Sequence, residues 1–195
     1  MHYVPALQRR ILAIDPTPRG FGYAVLEGPR RLVDWGLKEV PPEYRNRRSL
    51  FHIRNLVRDY APDLVVVEDI WARGSRRGPR VQRLIRDLLA MAASDRFRTR
   101  RVSRAMLKRA FTETGKPTKY RIAQAIAARF PELAWYLPPV RKPWMSEDAR
   151  MGIFDAVALA LAVYHHASHP DARSDHAVRR HEFSRRAPRL WDQAG

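Results

Sequence analysis

Short apolar runs, each broken by Pro or Gly, open the chain. Residues 10–15 and 21–27 are two such runs, separated by Pro16, Pro18 and Gly20, and they predict a β-hairpin. Residues 31–38 continue as a third strand. Across residues 44–60, Leu50, Ile53, Leu56 and Val57 fall at helical spacing and predict an amphipathic helix. After Pro62, Leu64-Val65-Val66-Val67 is unbroken by polar residues, as in a strand buried on both faces. A Gly-, Ser- and Arg-rich loop over 73–79 leads to a helix over 80–93, striped by Val81, Leu84, Ile85, Leu88 and Leu89. A short strand at 98–102 follows, and Ser103 is placed to cap a brief helix ending near Phe111.

Residues 114–117 interrupt the chain before another helix, 119–130. Residues 131–145 are rich in Pro and aromatic side chains and predict a connection. The last strong element, 146–166, buries Met151, Phe154, Val157, Ala158, Leu161 and Ala162. From 167 onward the chain is polar and aperiodic, and no internal repeat is present. Strands that alternate with helices after an opening hairpin imply an α/β domain. Its sheet would be mixed and five-stranded, its first three strands antiparallel, with helices flanking it. Residues 1–166 form this domain and 167–195 a polar extension.

Charge changes the picture most. Lys and Arg number 37 against 20 Asp and Glu, a net charge of +17, and arginine predominates. An excess of this size implies a polyanionic partner, nucleic acid above all. It is unevenly spread: residues 72–121 hold sixteen basic side chains and only three acids, so thirteen of the seventeen net charges lie there. That segment is expected to be a phosphate-binding face. The chain has no cysteine, which excludes disulfides and thiolate metal sites. The N-terminus shows no secretory pattern, and no uninterrupted apolar run is long enough to cross a membrane. A soluble, intracellular protein is expected.

Three acids stand in apolar surroundings. Asp15 follows Ile11-Leu12-Ala13-Ile14, Glu68 follows the Val run, and Asp155 sits among Phe154, Ala156, Val157 and Ala158. Taken alone, Asp15-Pro16 reads as the opening of a turn. Together, acids that a core would reject unless a cation faced them suggest convergence at the strand ends. Carboxylates gathered there form an oxygen-donor site suited to Mg²⁺ or Mn²⁺.

Ile14-Asp15-Pro16 with Gly20-Phe21-Gly22-Tyr23, Val67-Glu68-Asp69-Ile70-Trp71, and Phe154-Asp155-Ala156-Val157-Ala158-Leu159-Ala160 resemble, in order and spacing, the acidic motifs of the RuvC-type Holliday junction resolvases. The resemblance runs from about residue 10 to residue 166. It implies an RNase H-like fold, a homodimer, two Mg²⁺ (or Mn²⁺) per active site, four-way DNA junctions as substrate, no membrane, and a bacterial cytoplasmic location. Carried over by position, Asp15, Glu68 and Asp155 would be catalytic metal ligands. Trp71 would be the aromatic pressed into the junction, and Lys119 the basic residue opening the helix after the glycine-containing loop. Arg73, Arg76, Arg77, Arg80, Lys116 and Arg121 would join Trp71 and Lys119 in binding DNA.

One departure is plain. The resembled family has a ligand one helical turn before the final aspartate, and here that residue is Gly152. Asp148, seven residues before Asp155 on the expected helix, is the expected fourth catalytic ligand, with Glu147 as the other candidate. Arg141, Lys142 and Trp144 precede this helix and are near enough in sequence to touch DNA. His165, His166 and His169 receive no role. The helix over 80–93 is the expected dimer contact; its apolar stripe also suits ordinary core packing against the sheet, and the two can coexist. Two other readings stay open: an RNase H-fold nuclease acting on RNA or on other DNA forms, and a non-catalytic nucleic-acid-binding protein of the same fold.

Overall fold

The computed structural model describes residues 7–72, 77–112, 118–142 and 144–169. Its strands are β1 (Arg10–Thr17), β2 (Gly20–Glu27), β3 (Leu32–Glu39), β4 (Leu64–Glu68) and β5 (Thr99–Val102). They form one sheet in the order β3-β2-β1-β4-β5. β1, β2 and β3 pair antiparallel, whereas β4 is parallel to both β1 and β5. The helices are α1 (Arg45–Tyr60), α2 (Pro79–Asp95), α3 (Arg104–Ala110), α4 (Lys119–Arg129) and α5 (Met151–Ser168).

The two-residue period of the strands sorts side chains between two cores. Ile11, Ala13, Ala24, Leu26, Leu64 and Val66 face the side covered by α3, α4 and α5. Leu12, Ile14, Tyr23, Val25, Val65 and Val67 face α1 and α2. The same alternation carries Asp15 and Glu68 to the α5 side, because they continue the series Ile11-Ala13 and Leu64-Val66. Most of the apolar stripe of α2 (Val81, Leu84, Ile85, Leu88) is therefore buried in this chain's own core, while Arg83, Arg86, Ala90 and Ala93 stay exposed on its other face.

Local chemistry sets the ends of the elements. The Ser103 hydroxyl accepts the Met106 N–H at 3.2 Å and caps α3 as expected, and Thr118 does the same for α4 through Arg121 N–H at 3.3 Å. The predicted connection after α4 is not wholly irregular: Pro131 starts a short 3-10 helix, Pro131–Tyr136, that buries Leu133. α5 starts at Met151 rather than 146. Ahead of it the Asp148 carboxylate accepts the Arg150 backbone N–H at 2.9 Å, an Asx-type turn that competes with helix.

α5 is long and apolar enough by composition to cross a membrane, but here it is the central helix of the core. Near its C-terminal end the buried Tyr164 hydroxyl donates to Arg9 O at 2.6 Å and accepts the Gly28 N–H at 3.0 Å, tying the helix to β1 and β2. Near its start it lies almost against β2. A Cβ added at Gly22 would stand 2.2 Å from the Gly152 carbonyl oxygen, and one at Gly152 would stand 2.9 Å from Thr17 Cγ2. Gly22 is thus required by the approach of the Gly152 backbone, whereas a methyl at Gly152 would press on the Thr17 side chain, a packing role that its reading as a missing ligand did not include.

Gly22→Ala should consequently cost about 3 kcal/mol, because backbone rather than a movable side chain blocks the new methyl. Urea denaturation of the variant beside wild type measures it. A loss below about 0.5 kcal/mol would mean that the approach is not tight.

Candidate active site

Asp15 lies near the end of β1, Glu68 ends the neighbouring parallel strand β4, and Asp155 lies one turn into α5. Asp15 and Glu68 are only 1% and 6% exposed. All three line one cavity of about 270 Å³, whose opposite wall is apolar: Val102, Leu107, Ile122 and Leu159. The strand period, the parallel β1–β4 register and the α5 approach together bring the three acids to one place.

Two basic side chains enter between them. Arg77, just before α2, forks across the pair on the sheet: its Nη2 donates to Asp15 Oδ1 and its Nε to Glu68 Oε2, while Nη1 reaches Pro16 O at 3.3 Å. Lys119, the first residue of α4, donates to Asp155 Oδ2 at 2.8 Å and to Glu147 Oε1 at 2.7 Å. A lysine opening a helix opposes the helix dipole, and these two carboxylates offset that cost. Arg104 adds a weaker contact, Nε to Glu68 Oε1 at 3.5 Å.

Burial dominates the electrostatics. Desolvation pushes the Asp15 carboxyl from its ordinary 3.8 up to about 7; Arg77 pulls it down, and the charges of Asp155 and Glu68 push it up. Asp155 is also raised, by burial first, against the opposing pull of Lys119. These acids ask for more positive charge than the two basic side chains supply.

The structure treats the other expected residues differently. Asp148 is not brought to the cavity. With α5 starting at Met151, the seven-residue spacing does not put it on a shared helix face, and its carboxylate pairs with Arg150 at 2.7 Å. Glu147, the other candidate, reaches Lys119 and through it Asp155. Trp71 is 53% exposed beside Glu68, with the Arg101 guanidinium 4.9 Å from its ring centre. Arg77, expected among the phosphate-binding residues, is turned inward. Arg80 bonds Thr17 O and, at 2.9 Å, Asn46 Oδ1, linking α2 to the hairpin and α1. Arg121 is on the exposed side of α4. Arg73, Arg76 and Lys116 lie outside the described residues.

Trp144, named with Arg141 and Lys142 as near enough in sequence to touch DNA, is 78% exposed three residues before Glu147, with Lys142 Nζ 5.5 Å from its ring. His165 and His169 stack on each other at the far end of α5. The sequence analysis did not single out Arg104 or Lys108 as lining residues. The signal was present: Val102 pairs with Glu68 in parallel register, so the first turn of α3 must begin beside that glutamate.

No protein-family model matches the chain. A segment of 68 residues is 40% identical to the crossover junction endodeoxyribonuclease RuvC of Akkermansia muciniphila, covering 31% of this chain and 41% of that relative. Among solved structures, Thermus thermophilus RuvC matches 82% of this chain and 95% of its own at a TM-score of 0.58 and 18% identity. The same protein in complex with a Holliday junction substrate gives 0.57 at 16% identity. The yeast mitochondrial Holliday junction resolvase Ydc2 gives 0.53 at 14%, over 83% of this chain and 80% of its own. In overall structure and in the sequence of its matched segment, the chain is similar to the RuvC-type Holliday junction resolvases and has their RNase H-like fold.

Proposed function

We propose that the protein is a metal-dependent, structure-selective endonuclease that cuts four-way DNA junctions. The convergence of Asp15, Glu68 and Asp155 on one cavity in a strongly basic chain carries this reading. It is supported by the similarity to RuvC proteins, one of which is described with a Holliday junction substrate.

The donor set fits a divalent cation in its chemistry, although among the described residues no three acids stand together as ligands while Arg77 and Lys119 pair with them. It consists of carboxylate oxygens only, Asp15 and Glu68 are almost wholly buried, and burial raises the pKa values of Asp15 and Asp155. Asp15, Glu68 and Asp155 would hold Mg²⁺ or Mn²⁺, with Glu147 the nearest further carboxylate. Such ions, two in the full site, supply an activated water and stabilise the leaving oxygen of a phosphodiester.

The chain's own residues bind and orient the DNA. Lys108 and Arg104 line the cavity and meet phosphate oxygens at its mouth, with Lys119 beside the acids. Trp71, three residues after Glu68, keeps an exposed ring; stacking of one unpaired base on it contributes about 1–3 kcal/mol, enough to favour an opened junction over continuous duplex. Symmetric paired cuts require two such sites, which a two-fold homodimer provides.

With a labelled four-way junction and Mg²⁺, paired symmetric nicks are expected, and linear duplex should stay intact. Asp15→Asn should slow cleavage at least about a hundredfold while changing junction affinity less than about threefold. Tight binding with no cut in either Mg²⁺ or Mn²⁺ would instead favour a DNA-holding protein. Cleavage of linear duplex or RNA at a similar rate would remove the junction from the reading.

The pH dependence follows from Asp15 with a definite sign. Its folded pKa lies above its ordinary value, so between pH 3.8 and about 7 the folded protein binds the extra proton. The metal-free protein should therefore lose stability as pH rises through this window and level off above it. Mg²⁺ should restore more stability at pH 8 than at pH 5.5, because it binds the ionised form. Melting temperatures in EDTA and in Mg²⁺ test this. Asp15→Asn should flatten both slopes, and a mutant with the wild-type slope would contradict the assignment.

A further inference from the structure

In the structure the acids are divided into two pairs, each closed by a basic side chain. Lys119 closes Asp155 with Glu147; Arg77 closes Asp15 with Glu68. Among the described residues no three acidic or histidine side chains already stand close enough together to hold a metal ion. The Arg77 guanidinium bridges Asp15 and Glu68. Its side chain is 22% exposed, against 51% for Lys119, so it sits as the inner of the two cations. Its fork spans carboxylates from two different strands, which a single ammonium cannot do with the same geometry. Glu68 is held on its other oxygen by Arg104 at 3.5 Å, so it keeps a partner if Arg77 leaves.

We infer that Arg77 is the resident counter-cation of the acidic centre, positioning Asp15 and Glu68 until a divalent ion displaces it and turns its guanidinium toward substrate phosphate. This rests on the metal-centre reading above. Asp15 and Glu68, buried at neighbouring strand ends, would repel each other if left bare, and a buried carboxylate without a partner is strongly destabilising. Arg77 relieves that cost in the metal-free protein. A metal then competes with Arg77 rather than entering an open site. Displacement leaves a full positive charge at the cavity mouth, where the DNA backbone is the natural acceptor. No bond is made or broken: one cation replaces another at the carboxylates. Metal binding and DNA binding are thereby coupled through one side chain, each favouring the other.

The test measures Mn²⁺ affinity of the full chain by titration calorimetry and by the loss of the free-Mn²⁺ electron paramagnetic resonance signal. Arg77→Gln should bind Mn²⁺ about tenfold tighter than wild type, and Asp15→Asn should lose the site. Equal or weaker affinity in Arg77→Gln overturns the inference. Absence of Mn²⁺ binding in wild type and Arg77→Gln alike overturns the metal-centre reading as well, which separates the two failures. If Arg77→Gln does not fold without metal, Arg77→Lys carries the test: its single ammonium cannot span both acids, so several-fold tighter binding is expected and an unchanged affinity is contrary. The second arm reads junction affinity in EDTA and in Ca²⁺. Arg77→Gln should weaken the Ca²⁺ value about threefold or more beyond whatever it changes in EDTA. Equal effects in both media would overturn the transfer of Arg77 to phosphate.

Discussion

The acidic site depends on the contact of α5 with β2 at Gly22, where any side chain would collide with the Gly152 backbone. Gly22 pairs with Asp15 in the β1–β2 ladder, and Gly152 stands one helical turn before Asp155. The place where helix and sheet come nearest is thus also where an acid from each approaches the other. A bulkier residue at Gly22 would lift the start of α5 and widen the separation of the carboxylates. Tyr164, bonded to backbone at the other end of the helix, keeps α5 from pivoting to absorb the change. The acidic site is in this sense a consequence of close packing, and the ligand absent at Gly152 is exchanged for proximity.

Bringing carboxylates together in a poorly hydrated place creates an electrostatic debt that the fold must meet. Desolvation is the largest influence on both Asp15 and Asp155, ahead of any neighbouring charge. Two basic side chains offset part of it, from the segment before α2 and the start of α4. Such buried pairs gain little net stability, since both partners give up water, but removing one partner is costly. The arrangement therefore suits a site that exchanges cations better than one that serves only to stabilise the fold.

Much of this was legible in the sequence, for identifiable reasons. Apolar runs and breakers located all five strands and five α-helices, because each element buries a face whose period is visible in the chain. Asp15, Glu68 and Asp155 stood out as charges inside apolar runs, a conflict that only a functional site resolves. Asp148 was misplaced because its side chain bonds the Arg150 N–H and delays the helix to Met151, a local competition that periodicity does not register. Gly152 looked like a loss because packing between backbones leaves no sign in a one-dimensional pattern. Arg77 looked like one more arginine in a basic loop, since its two partners are 62 and 9 residues away in sequence.

The basic segment illustrates how net charge can be right in sum and mistaken in distribution. Thirteen uncompensated charges over residues 72–121 suggested one continuous phosphate-binding face. Where described, these side chains are instead shared among several tasks. Arg77, Arg104 and Lys119 turn toward the acids, Arg80 fastens α2 to the hairpin, and Arg101 lies against Trp71. Arginine suits each of these uses because a planar fork can bond two oxygens or lie on a ring while its charge persists at any pH the protein meets. A lysine-rich segment of equal charge would attract DNA about as well at long range but could not build the same interior. The predominance of arginine here therefore reflects the construction of the acidic cavity as much as affinity for a polyanion.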